Sequence, residues 1–262
     1  MSTTAVVVAG MRCAGEIPPP LAGLLTAATH AGAEVVLVLG DRSPQSKPPV
    51  PERVRVGYIE RGRSRHAFFR AGLELLCQAA TLSQLVLCDD SFVAVNPAQL
   101  LSQATAASAG LDLASLTVIE APEPCLQSYW LSFAARALGS AAFNDWWRRE
   151  SDDSDSSLTQ RFLAAGCRAG GLLRLERREQ IVALCRAHAC GALHSKLESA
   201  DEFLLDPAAA RSLDLTMFAW DSLLASFGVV SLALLEENPH RVNIARLRRW
   251  IAETPGVATL FA

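Results

Sequence analysis

The sequence lacks any run of the roughly 18–20 uninterrupted apolar residues that a membrane-spanning helix needs. Its longest candidates, around Val35–Leu39 and Val229–Leu235, are short enough to be core elements. It shows little of a secretory signal, and none is expected: Met1-Ser2-Thr3-Thr4-Ala5 has no basic n-region and no long apolar stretch follows. It lacks a surplus of either charge. The 24 Lys+Arg and 27 Asp+Glu leave a net charge of −3, which argues against nucleic acid as the main ligand. It lacks a disulfide framework, because the seven cysteines are odd in number and scattered. Cys77 and Cys88 lie inside apolar runs, so they read as buried free thiols of a reducing cytoplasm. There is no G-x-G-x-x-G and no Walker sequence, which weakens dinucleotide-dehydrogenase and kinase readings. No Ser-His-Asp order stands out. The spacing of Cys185, His188, Cys190 and His194 matches no common zinc pattern, and helix-facing thiols with surface histidines fit it better.

What is present is a chain of 262 residues, half of them apolar and 19% charged, able to bury a sizeable core. Ala5–Ala9, Glu34–Leu39, Val54–Ile59 and Gln84–Cys88 are short apolar runs that suit buried parallel strands. Helical patterns over Leu21–Ala31 and His66–Ala79 alternate with them. Further on, Leu100–Ala109 reads as a helix and Leu116–Glu120 as a strand. Leu126–Phe133 reads as a strand leading into a helix over Ala134–Ser140. Phe143–Glu150 and the stretch from Ser157 to Ala165 are helical, the latter capped by Gly166. Strand–helix alternation predicts an α/β fold: a mostly parallel central sheet with helices on both faces. No repeat or long linker is visible, so a single domain is expected over 1–262.

Asp89-Asp90-Ser91 falls at the carboxyl end of the fourth strand, where open α/β sheets bind ligands. Adjacent carboxylates there suit a hard divalent cation holding a diphosphate, although Asp and Ser are also common at ordinary strand ends. Asp152, Asp153 and Asp155 form a second cluster. Asp155 suits a general base and equally a helix cap. Arg241–Trp250 carries four arginines on a plausible helix. Its simplest reading is a solvated face with Trp250 and Ile251 turned inward; the other is contact with anionic lipid head groups.

Four blocks, in order, resemble the rhamnan synthesis protein F family of bacterial polysaccharide glycosyltransferases. They are LVLCDDSFVAV at Leu85–Val95, LQSYWLSF with SAAFNDWW at Leu126–Phe133 and Ser140–Trp147, DSSLTQRFLAAG at Asp155–Gly166, and the Thr216–Pro239 tail. The resemblance implies a GT-A-like fold. It assigns a nucleotide-sugar half to about 1–115 and an acceptor half to about 116–262. It implies transfer of rhamnose or a related deoxysugar to a glycan or lipid-linked glycan acceptor. The expected place is the cytoplasm, peripheral at the inner face of the membrane. It makes Asp89 and Asp90 ligands of Mg²⁺ or Mn²⁺ and Asp155 the base. Ser91, Gln127, Ser128, Tyr129, Thr159 and Gln160 become substrate-binding residues. The chain departs from the family where a Gly-Arg-Asp-Phe-Gly stretch becomes Gly62-Arg63-Ser64-Arg65-His66, where Cys125 replaces a His, and where Asp89 replaces an Asn. That departure also leaves room for a non-catalytic glycan-binding or scaffold module.

Overall fold

A computed structural model describes residues 3–13, 16–40, 49–76, 82–120, 122–148, 155–192 and 211–259. The apolar runs form the centre of a sheet of seven strands: β1 (Thr3–Gly10), β2 (Glu34–Leu39), β3 (Val54–Tyr58), β4 (Leu82–Asp89), β6 (Leu113–Ser115), β9 (Trp130–Ala134) and β10 (Ala169–Gly171). The short strands β5 (Phe92–Ala94) and β11 (Val229–Ser231) form one small sheet, and β7 (Val118–Ile119) and β8 (Cys125–Leu126) another.

The large sheet runs β10-β6-β9-β4-β1-β2-β3. β1 pairs parallel with β2 and β4, β2 with β3, and β10 with β6. β9 is antiparallel to both of its neighbours. The expected α/β fold with a mostly parallel central sheet is therefore what the chain adopts.

Alternation along each strand sorts side chains to two faces. Val6, Val8, Val35, Leu37, Val86 and Cys88 join one buried cluster. Val7, Ala9, Val36, Val38, Leu85 and Leu87 join the other. Helices α1 (Pro19–His30) and α3 (Pro97–Ala107) cover the first face, through Leu21, Leu25 and Leu100. Helix α2 (Arg65–Glu74) covers the second through Phe68 and Phe69. It lies so close that a Cβ on Gly72 would stand 2.2 Å from Val7 Cγ1. After the short helix α4 (Ala135–Leu138), two further helices close that face. They are α5 (Ala141–Arg148), bringing Trp146 and Trp147, and α6 (Asp155–Ala164), bringing Leu158 and Phe162. His66 stacks on Trp147 at 5.3 Å, which places this histidine in the aromatic layer.

Several expected elements are shorter or divided. Helix α2 ends at Glu74, where Leu75 serves as the C-cap; Cys77 and Ala79 lie outside the described residues. Leu116–Glu120 is not one strand: β6 ends at Ser115, and β7 forms only at Val118–Ile119. Leu126–Phe133 is broken into β8 and β9. Gln127 leaves the ladder between them, and its N–H donates to the Thr117 carbonyl. A further helix runs over Arg177–Ala189, and its N-terminus carries a Glu176–Glu179 capping box. Arg241–Trp250 is helical only from Ala245, and Leu247 is its buried anchor. No helix among the described residues is long and apolar enough to cross a membrane.

Candidate functional site: the carboxyl edge of strands β1 and β4

Parallel strands β1 and β4 end side by side, so the turns after Gly10 and Asp89 meet. Asp90 N–H donates to the Ala9 carbonyl. In return the Asp90 carboxylate accepts from Met11 N–H at 3.1 Å and Arg12 N–H at 2.8 Å, one to each oxygen. Cys13 Sγ lies 3.5 Å from the same Oδ2. Asp90 thus staples the first loop to the fourth strand.

Asp89 points elsewhere. Its Oδ1 accepts from Ser91 N–H at 2.9 Å and from Ser91 Oγ at 2.5 Å. Its Oδ2 forms an ion pair with Arg65 Nε at 2.5 Å. Arg65 also donates through Nη1 to Ser128 Oγ. Ser64 caps helix α2, accepting from Ala67 N–H at 3.3 Å, and this sets where Arg65 leaves the helix.

Both carboxylates are buried, and burial pushes each above the usual carboxylate range. For Asp89 the Arg65 charge and the Ser91 donors pull back against that rise. For Asp90 the Arg12 amide pulls back, while the Asp89 charge adds to the rise. The same burial, with Asp90 nearby, pushes the Cys13 thiol up to about 12, so it is no thiolate nucleophile at neutral pH.

Beside this edge lies a cavity of about 280 Å³ lined by Arg12, Arg65, Ser91, Gln127, Ser128 and Tyr129, closed by residues of the tail. Gln127 is held from two sides: Thr117 Oγ1 donates to its Oε1, and its Nε2 donates to Asp214 Oδ1 at 3.1 Å. Tyr129 OH lies 2.9 Å from Thr117 Oγ1, and burial raises the phenol's pKa. Asp214 caps the helix Leu215–Phe218, accepting from Thr216 N–H and Oγ1.

Ser91, Gln127, Ser128 and Tyr129 therefore converge on one cavity, with Asp89 immediately behind Arg65. Thr159 and Gln160 are not among the cavity's lining residues. Thr159 is 1% exposed, and its Oγ1 accepts from Leu126 N–H at 2.9 Å, which fastens helix α6 to β8. Gln160 is half-buried on the same helix. Asp155 is the first residue of α6, and its side chain lies outside what the structure describes, as do Asp152, Asp153 and His194.

The divalent site expected at Asp89 and Asp90 does not match their surroundings. Each of the four carboxylate oxygens already accepts from, or is ion-paired with, a group of the chain itself. A guanidinium occupies the approach to Asp89. Among the described residues no group of three or more His, Cys, Asp or Glu side chains is placed to hold a metal. Even Mg²⁺, which takes one or two carboxylates beside water and phosphate oxygens, needs those carboxylates free. The donor set here serves backbone amides and an arginine instead.

Arg65, Arg12, Thr117 and Asp214 escaped the sequence reading. Arg65 sat inside the departing Gly62–His66 stretch, which was the available signal. Nothing in the sequence links Thr117 or Asp214 to Gln127.

No family model matches the chain, and no curated protein matches it significantly. Solved structures of similar shape include a 4-diphosphocytidyl-2C-methyl-D-erythritol synthase from Anaerococcus prevotii, at 10% identity and TM-score 0.42, covering 65% of this chain and 88% of that one. TarS residues 1–349 from S. aureus match at 12% identity and TM-score 0.41, over 98% of this chain and 80% of that one. The glycosyltransferase GlyE of Streptococcus pneumoniae matches at 10% identity and TM-score 0.42, over 99% and 63%. With every one of these scores below 0.5, the functional reading rests on this chain's own residues.

Proposed function

We propose that the chain is a glycosyltransferase using a nucleoside-diphosphate sugar. The observation that supports this most is the polar cavity at the carboxyl edge of β1 and β4. Arginines and neutral hydrogen-bonding side chains meet there at the sheet edge where α/β folds take nucleotides. The reaction is a displacement at the anomeric carbon. The bond from that carbon to the diphosphate oxygen breaks, and a bond to an acceptor hydroxyl oxygen forms. The hydroxyl proton passes to a base, the role that the family resemblance gives Asp155. Gln127, Ser128 and Tyr129 orient the sugar or its diphosphate by hydrogen bonds, and Ser91 sits at the same wall. The same resemblance proposes rhamnose or a related deoxysugar as the donor sugar and a bacterial surface polysaccharide as the product.

Titrating the protein with a panel of nucleotide-sugars, followed by radiolabelled transfer, tests this reading. The expected result is selective binding of a nucleotide-sugar. Asp155→Ala should lower transfer by about 10²–10⁴-fold while leaving donor binding in place. An absence of nucleotide-sugar binding and transfer overturns the proposal.

A second reading, a non-catalytic glycan-binding or scaffold module, is favoured by one observation. Among the described residues, no Asp or Glu side chain lines the cavity. Binding of oligosaccharide without any nucleotide-sugar is the outcome that selects it.

A further inference from the structure

We propose that Arg65, held by Asp89, supplies the counter-charge for a diphosphate in this cavity, and that the diphosphate binds without a divalent cation. This rests on the nucleotide-sugar reading and adds how the charge is met. Two buried carboxylates at this edge invite a metal, but their geometry directs them inward. Asp90 is spent on the Met11 and Arg12 amides. Asp89 is spent on Ser91 and Arg65. A cation reaching Asp89 would have to displace a like charge from 2.5 Å.

Arg65 is built as a presented cation. Nε faces Asp89, Nη1 faces Ser128, and Nη2 has no partner among the described residues. The side chain lines the cavity and is 34% exposed. One hydrogen-bonded nitrogen, Nη1, and the ion pair at Nε hold the planar fork in place with little entropy left to lose, which suits phosphate oxygens. Arg65 also opens the ten-residue helix α2, whose N-terminal end adds partial positive charge. Arg12 lines the same cavity, and its partner Glu236 forms an exposed pair with it. Such a pair is weak and exchangeable, so a phosphate can recruit Arg12 as well. In this arrangement Asp89 is a positioning residue.

The test is calorimetric titration of the full chain with UDP, dTDP and GDP, in excess EDTA and then in excess Mg²⁺ or Mn²⁺. The expected result is that the nucleotide that binds does so with a Kd that changes by less than about threefold between the two conditions. Arg65→Gln should weaken it by about tenfold or more. Because that change leaves Asp89 buried without its cation, the double variant Arg65→Gln/Asp89→Asn provides a neutral replacement and should show the same loss. Binding that appears only with metal overturns the inference and leaves the nucleotide-sugar reading standing. Metal-independent binding that survives both variants removes Arg65 from the site. If no nucleoside diphosphate binds under any condition, both the inference and the reading fail.

Discussion

The two sides of the cavity are made in different ways. Its floor lies just beyond the ends of the long-strand half of the sheet, where β1, β2 and β4 run for 8, 6 and 8 residues with one register shift between Thr3 and Thr4. There the polar contacts go from carboxylate to backbone amide, as at Asp90. A wall comes from Gln127 to Tyr129, between β8 and β9, beside the half where strands are short: β7 and β8 have two residues each and β6 and β10 three. There the contacts run between side chains: Thr117 to Gln127, Gln127 to Asp214, Arg65 to Ser128. A floor fixed by backbone geometry sets position. A wall fixed by side chains can be rewritten residue by residue, which is where ligand choice belongs.

Breaking the floor should cost the most. Phe69 is 1% exposed and packs helix α2 on the β1–β2 face. Phe69→Ala removes a buried ring from a face with no slack at Gly72, and should destabilise the protein by about 3–5 kcal/mol in urea unfolding. A loss below about 1 kcal/mol would show that this half of the sheet is not the stability centre assumed here. Because α2 also carries Arg65 to the cavity, the fraction that stays folded should bind nucleotide more weakly than the wild type.

A residue behind the wall gives a smaller effect: Thr159 does not line the cavity but fastens the strand that leads to Gln127. Thr159→Val is nearly isosteric but removes the oxygen that Leu126 N–H donates to. An orphaned buried amide costs about 1–3 kcal/mol. The change also loosens β8 immediately before Gln127, so it should alter ligand affinity as well as stability. A variant that loses stability with no change in affinity would separate β8 from the site.

The same division explains what could be read from the sequence. Glu34–Leu39 is a strand with the bounds its apolar run suggests, because a strand buried on both faces needs little beyond β-branched and leucine side chains. The place of Asp89 and Asp90 followed from that. Leu126–Phe133 was misleading because three polar-to-aromatic residues, Gln127 to Tyr129, look continuous with their neighbours. What breaks them is a bond from Gln127 N–H to Thr117, ten residues away. The direction of β9 depends on its partners and not on its own residues. Arg65 and Asp89 are 24 residues apart and meet only because α2 packs beside β4's end. Charges on a helix start and a strand end carry no pairing signal of their own.

The smallest expected effect concerns pH, and it sharpens the contrast between floor and wall. Burial raises the Asp89 carboxyl above its unfolded value, so the folded chain keeps this proton to higher pH than the unfolded chain does. Its contribution to stability is therefore fully present below the unfolded carboxylate value of about 4. It is lost as pH rises through the higher folded value. This is the reverse of an ordinary salt-bridged carboxylate, and it arises because desolvation outweighs the Arg65 charge at this position. Urea midpoints of the wild type and Asp89→Asn, compared from about pH 4 to about pH 7, isolate the group. The wild type should lose stability relative to the variant as pH rises. A wild-type advantage that grows with pH would mean that the Arg65 charge outweighs desolvation at Asp89, the reverse of the balance described for this carboxyl.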